Sequence, residues 1–245
     1  MTAAASNLEQ MVHELTGHSL LAGLPVKDRR RISRKMEVVS LAASQVVSES
    51  SGAIRDVFFP LSAVLSLIGT TAEGNVVEIG QIGREGIAGV EAALRTVGQP
   101  LLSTTVQIPG TALRMSAEHF AREVDESSSL NRCVRRYMGF VFAQLELSVA
   151  CNRHHALEER CARRLLTAQD LSGRTQVLLT QHQLAQLLGA SRQSVDRVLQ
   201  GLADEGILRL SRAKIQILDR QALKTRSCPC YRLIKRELDA LLAWS

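Results

Sequence analysis

The apolar positions of the chain change period along its length. Residues 1–35 are polar with helical spacing and carry a basic cluster at Lys27, Arg29, Arg30, Arg31, Arg34 and Lys35. With Asp28 inside it, the cluster reads as a solvated helix face rather than a second nucleic-acid patch. From Met36 to Met115 the period shortens. Short β-rich runs, MEVVSL, QVVSES, DVFFPLSAVLSLIG, VVEIGQIG, LLSTTVQI and TALRM, alternate with turn signals at Gly52, Gly69, Gly74, Gly80, Gly83, Pro109 and Gly110. Strands this short and regular predict a sandwich or barrel, and a jelly roll is one way to close such a sheet. Ser116 is placed to cap a helix over SAEHFAREVDE. A longer helical pattern runs from Leu130 to Gln169. Its first half sets Leu130, Val134, Tyr137, Val141, Leu145 and Ser148 at helical spacing. That stripe is read either as a dimerisation seam or as packing against the chain's own domain. Asp170–Thr175 (DLSGRT) reads as a polar linker.

Thr180–Leu202 (TQHQLAQLLGASRQSVDRVLQGL) carries the sharpest pattern: two short helices joined by a tight turn. Thr180 and Gln183 form a capping box, and Ser191 can cap the second helix. Leu184, Leu187 and Leu188 give the first helix one apolar face, and Gly189 permits the turn. Val195, Val198, Leu199 and Leu202 share one side of the second helix. Arg192, Gln193, Asp196, Arg197 and Gln200 share the other, within about 140° of arc. Arg and Gln pair bidentately with guanine and adenine edges in the major groove, so this division of faces suits a recognition helix. Ala185, Gly189 and Val195 also fall where a helix-turn-helix needs a small residue, a turn and an apolar plug. The following GILRLSRAKIQILD reads as two strands around Ser211–Ala213, a wing whose Arg209, Arg212 and Lys214 could meet phosphate. The tail SCPCYRLIKRELDALLAW predicts a closing helix.

Charge sharpens this picture. The 245 residues carry a formal net charge of +6. Residues 152–226 hold 13 Lys/Arg against 7 Asp/Glu, which accounts for the whole excess. A basic segment attached to a neutral remainder points to a polyanion, here double-stranded DNA. No apolar run reaches the ~18 residues of a membrane helix. The start, MTAAASNLEQ, lacks a basic segment followed by an apolar core. The expectation is a cytoplasmic protein with no membrane partner.

Other chemistry is weaker. The five cysteines, Cys133, Cys151, Cys161, Cys228 and Cys230, are an odd number without an export signal, which argues against a disulfide framework. Cys151, His154 and His155 share a helix face, with Cys161 two to three turns on. The residues allow a metal site, but buried cysteine and partly exposed histidine is the better reading, so no metal is expected. Cys228 and Cys230 flank Pro229. They read as structural residues in a turn, or as a redox pair if a thiolate is exposed near Arg226 or Arg232. No nucleophile elbow, phosphate loop or metalloprotease motif occurs, so no enzyme is expected. Glu85 and Glu91 read as solvated loop charges.

A β-roll, a long helix and a winged helix-turn-helix, in that order, resemble the Crp/Fnr family of bacterial transcription regulators. The resemblance runs from about Leu20 to Lys224. It rests on FFPLSAVLSLI in the roll, IGREGIAGVEAAL at the effector cassette, CNRHHALEERCARRLL at the hinge and LLGASRQSVDRVLQGLADEGIL in the reader. It implies a homodimer, a roll that senses something, RNA polymerase as partner, and two recognition helices reading a palindrome one DNA turn apart. By position, Arg192, Gln193 and Arg197 match the family's base- and phosphate-contacting residues. Many members have Glu where this chain has Gln193, which predicts a different half-site. Cyclic-nucleotide binders of the family have a Gly-Glu pair and then an Arg followed by Ser or Thr. Here Glu85 sits in GREG, but Ser103 or a neighbour replaces the Arg, and Arg95 lies in an insertion. Members that sense oxygen through an iron-sulfur cluster carry N-terminal cysteines, and none precedes Cys133.

The fold expected is therefore α+β. An N-terminal jelly-roll (double-stranded β-helix) domain of effector type spans 1–128. A dimerisation helix and hinge span 129–170, and a winged helix-turn-helix with a C-terminal helix spans 171–245. The expected DNA-binding residues are Thr180, Ser191, Arg192, Gln193, Asp196, Arg197, Gln200, Arg212 and Lys214. The expected effector pocket is Gly83, Glu85, Gly86, Arg95, Ser103 and Thr104, for an unknown small-molecule effector other than cyclic AMP. The expected dimer seam is Val134, Tyr137, Val141, Leu145 and Ser148. The alternatives are a cyclic-nucleotide-dependent regulator, or a small-molecule or redox sensor acting through protein contacts.

Overall fold

The computed structural model describes residues 3–50, 52–94 and 101–243. Three helices, α1 (Ala3–Thr16), α2 (Ser19–Ala22) and α3 (Val26–Ser33), precede seven strands: β1 (Glu37–Leu41), β2 (Val46–Ser48), β3 (Asp56–Pro60), β4 (Val64–Thr70), β5 (Val76–Ile82), β6 (Leu102–Ile108) and β7 (Gly110–Ser116). They form two antiparallel sheets, ordered β1-β7-β3 and β2-β6-β4-β5. Each of the short β-rich runs in the sequence supplies one or two of these strands.

Side-chain alternation explains how the roll is filled on both sides. On β3, Phe58 points into the roll interior with Leu41, Leu65, Ile82 and Val106. Its neighbours Val57 and Phe59 point the other way, into a second core. Helices cover that outer face, so β3 is buried from Val57 to Pro60. They are α1–α3, α4 (Ala117–Glu126) and α5 (Ser128–His154). As the sequence predicts, Ser116 caps α4, its side chain accepting from the His119 N–H.

The long helical pattern does not run unbroken to Gln169. It stops at His154, passes through extended His155 and Ala156, and restarts as α6 (Leu157–Ser172). Arg153 and His154 sit in the last turn of α5, and Glu158 and Glu159 in the first turn of α6, where each charge suits the local end of the helix dipole. Glu159 also accepts from the Ala156 N–H at 2.8 Å.

α6 belongs to the winged domain, so the boundary expected at 170/171 moves upstream to the break. Cys161, Ala162, Leu165, Leu166 and Ala168 fill the same core as the helix-turn-helix. Asp170–Ser172, expected as linker, form the last turn of α6, which ends at left-handed Gly173. There follow β8 (Gln176–Val177), α7 (Gln181–Leu187), α8 (Arg192–Asp204), β9 (Leu208–Ser211), β10 (Lys214–Ile217), α9 (Arg220–Arg226) and α10 (Cys230–Leu242). The two expected wing strands pair as β9 and β10, and β8 adds a third. α10 also differs from expectation. It leaves the winged domain and lays Ile234, Leu238, Leu241 and Leu242 on the core around α5. No helix among the described residues is long and apolar enough to cross a membrane.

Candidate nucleic-acid interface

The helix-turn-helix is built from local signals. Thr180 accepts from the Gln183 N–H at 3.1 Å, and Gln183 returns the bond to the Thr180 N–H at 2.9 Å. Gly189 takes a φ of +58°, a conformation that costs a residue without a side chain little. Ser191 caps α8 by accepting from the Ser194 N–H at 3.2 Å. Ala185, Leu184, Leu188, Val195, Leu199 and Leu202 then meet in one core.

Burying that face leaves the other bare. Arg192, Gln193, Arg197 and Gln200 are exposed along α8. Two of them are held by carboxylates on the same helix: Arg192 Nε lies 3.6 Å from Asp196, and Gln200 donates to Asp204 at 2.8 Å. Gln193 and Arg197 have no side-chain partner among the described residues. The wing tip is a tight turn in which Ala213 has φ +58°, leaving Arg212 and Lys214 exposed on either side. Arg192, His182, Thr180, Arg212 and Lys214 line one cleft of about 450 Å³ between α7, α8 and the wing. Its size and basic lining suit a phosphodiester strand whose bases α8 would read.

Among the described residues, Glu85 lines a small cavity, and Gly83, Gly86, Ser103 and Thr104 do not join it there. Glu85 is buried rather than a solvated loop charge. Its carboxylate accepts from the Gly83 N–H of its own loop at 2.8 Å, and burial raises its pKa. Gly86 lies so close to Tyr137 that an added Cβ would come within 2.8 Å of the phenol oxygen. Thr104 and Ser103 sit on β6, opposite Leu67 and Ile68 of β4. They line neither of two cavities beside the roll. One, about 20 Å³, is lined by Leu67, Ile79, Ile82, Tyr137 and Leu145. The other, about 40 Å³, is lined by Glu78, Glu85, Phe140, Arg163 and Leu171. A nucleotide-sized ligand needs ~300 Å³ or more. Arg95 lies outside the described residues.

The stripe offered as a dimer seam packs on its own chain. Val134 and Tyr137 are buried in the core of the outer helices. Ser148 donates to the Ile79 carbonyl at 2.5 Å, and Val141 and Leu145 line the smaller cavity. The side of α5 left open is a different one, where Phe142 is 62% and Val149 73% exposed.

Two features escaped the pattern reading. Arg164 reaches from α6 to the outer face of the roll, where its Nε meets Glu78 at 2.5 Å, with side chains only 2% and 6% exposed. Arg164 also donates to Gln107 at 3.0 Å, and Ser66 donates to Glu78 at 2.7 Å. This network seats the winged domain on the β4-β5-β6 sheet. Second, Cys151, His155, Cys228 and Cys230 come together at the hinge, whereas Cys161 lies in the winged core and His154 is exposed.

Comparison with known proteins supports the same architecture. Residues 159–226 match the family model for a Crp-like helix-turn-helix domain. No curated protein matches the chain. Among solved structures, a protein described as a transcriptional regulator of the Crp/Fnr family from Eubacterium rectale ATCC 33656 is 19% identical. It aligns over 87% of this chain and 97% of its own, with a TM-score of 0.68. FixK2 from Bradyrhizobium japonicum is 15% identical over 79% of this chain and 98% of its own, with a TM-score of 0.66. The c-di-GMP responsive global regulator CLP of Xanthomonas campestris is 14% identical over 80% of this chain and all of its own, with a TM-score of 0.63.

Proposed function

We propose that this chain, a Crp/Fnr-type regulator by its helix-turn-helix domain and its fold, binds a palindromic DNA operator as a homodimer in the cytoplasm. One observation carries the reading: the outer face of α8 presents Gln193 and Arg197 exposed and without side-chain partners among the described residues, beside a basic cleft that ends at the wing. Arg197 then reads a guanine and Gln193 an adenine in the major groove, while Arg212 and Lys214 hold phosphates. RNA polymerase is the protein whose access the bound dimer would alter.

The dimer face proposed is the open side of α5, through Phe142 and Val149, seven residues and thus two turns apart. Phe142→Asp is expected to shift sedimentation from dimer to monomer and to weaken operator binding. An unchanged dimer would place the interface elsewhere. The effector is proposed not to be a cyclic nucleotide, since Glu85 is engaged by its own loop and the neighbouring cavities are small.

Selection of bound sites from a random duplex pool, without added ligand at near-physiological salt, tests the reading. It should return two inverted half-sites about one helical turn apart, with adenine where Gln193 reads. Enrichment of no sequence, or of a lone half-site, would overturn it.

A further inference from the structure

We propose that Cys151, His155, Cys228 and Cys230 bind one thiophilic divalent metal ion of the zinc class, in a tetrahedral Cys3His site at the hinge. The four donor atoms all lie within 4.8 Å of one another. Cys151 Sγ is 3.6 Å from Cys228 Sγ, and Cys230 Sγ is 3.7 Å from His155 Nδ1. A tetrahedral zinc ion with ordinary bond lengths sets its sulfurs ~3.8 Å apart and a sulfur and nitrogen ~3.5 Å apart. Two of the six donor pairs therefore already stand near the spacing such an ion would impose, and the others lie within 4.8 Å. Donors this close cannot sit on the separate irons of a cubane cluster, so the site is mononuclear.

The fold pre-assembles the site. Cys151 lies in the last turn of α5, and His155 is the extended C-cap of that helix, its N–H donating to the Cys151 carbonyl at 3.1 Å. Cys228 and Cys230 flank Pro229, the N-cap of α10. This turn is pinned to α6 by bonds that do not involve the metal donors. Arg226 meets Glu158 at 3.0 Å, and Tyr231 donates to Asp170 at 2.7 Å. The three cysteines are almost wholly buried, and among buried side chains they form a cluster of their own rather than part of a larger apolar core. His155 is only half-buried and leaves the ion a way in.

The charge also closes. Binding replaces three thiol protons with one divalent ion and leaves a net charge of −1 on the site. The Arg163 guanidinium acts electrostatically on the Cys151, Cys228 and Cys230 sulfurs and would offset it. A filled site ties two breaks in the chain together, the one between α5 and α6 and the one between α9 and α10.

The full-length protein, reduced, stripped with a chelator and titrated with Co²⁺, tests this. We expect one Co²⁺ per chain, with thiolate charge-transfer absorption and the intense ligand-field bands of a tetrahedral site, both bleached by Zn²⁺. Cys228→Ser and His155→Ala should each weaken binding at least tenfold, while Cys133→Ala leaves it unchanged. Circular dichroism of each variant separates lost ligands from lost fold. X-ray absorption of the wild-type zinc form, expected to show three sulfurs and one nitrogen, decides the matter if the variants do not fold. No bound Co²⁺, the weak bands of an octahedral ion, or undiminished affinity in folded Cys228→Ser would overturn the proposal. So would absorption data lacking three sulfurs, or formation of a Cys151–Cys228 disulfide at equal rate with and without metal.

Discussion

The outer face of α8 and the 83–86 loop both offer polar groups, yet only one is open. On α8 the apolar residues Val195, Leu199 and Leu202 face a core, while Arg192, Gln193, Arg197 and Gln200 on the opposite side are exposed. The loop is enclosed. The Ser19 N–H donates to the Arg84 carbonyl at 2.8 Å, and His18 Nε2 bonds the Gly86 carbonyl at 2.9 Å. Tyr137 from α5 and Leu171 from α6 close on it from other sides. Glu85, the only carboxylate in the loop, is satisfied by the Gly83 N–H. A polar side chain is available to a partner only where the rest of the fold leaves it unmatched. By that measure the winged domain has a binding surface, and the roll's loop has a role in holding the molecule together.

The contrast breaks if the winged domain does not stay seated on the roll. Its seat includes the buried Arg164–Glu78 pair. Removing one partner of such a pair strands the other charge, which costs about 3–5 kcal/mol, whereas replacing both with apolar residues is often neutral. Arg164→Met should therefore lose stability of that order in urea unfolding, and adding Glu78→Leu should recover most of it. If Arg164→Met costs under ~1 kcal/mol, the pair is solvated and the loop is not sealed as described.

Acid offers a second way to loosen the loop. His18 accepts from the Leu21 N–H at Nδ1, so Nε2 carries the proton donated to Gly86. Burial lowers its pKa from 6.5 to about 4. Between those values the unfolded chain takes up a proton that the native ring refuses. The contribution of His18 is thus complete above pH 6.5, falls as pH drops toward 4, and is worth about 3 kcal/mol in total. Glu85 acts in the opposite sense, because its raised pKa lets the native state gain as its carboxyl protonates. Comparing His18→Gln with the wild type across this range isolates the histidine. The variant should lack most of the acid sensitivity, and parallel curves would mean that His18 is already solvated.

What could be read from the sequence follows the same division. The Thr180–Gln183 box, the Ser191 cap, the turn at Gly189 and the fit of Ala185 to Val195 all act within ten residues or fewer, and each is present in the structure. The strand runs were legible for the same reason. The break between α5 and α6 falls between Arg153-His154 and Glu158-Glu159, but the apolar spacing that continues across it reads as one helix. The burial of Glu85, the packing of Val134 and Tyr137 on the chain's own domain, and the meeting of Cys151 with Cys228 depend on segments far apart in sequence. Residue spacing cannot say which of several helix faces a distant element will cover.

The finest test lies within α8 itself, where equally exposed residues are not equally free. Arg192 is paired with Asp196, while Arg197 makes no side-chain bond among the described residues. Arg197 is therefore the group with most to gain from a base edge. Arg197→Ala should cost about 1–3 kcal/mol in operator affinity and relax the preference at a single base pair in each half-site. Protein stability should hardly change, because the side chain is exposed and bonds no side chain among the described residues. Binding titrations against operators carrying each base at that position are the measurement. If affinity falls equally for all four, Arg197 meets phosphate, and direct reading on α8 falls to Gln193 together with an Arg192 that must first leave Asp196. The salt dependence separates these cases further: a lost phosphate contact lowers its slope by about one, and a lost base contact by less.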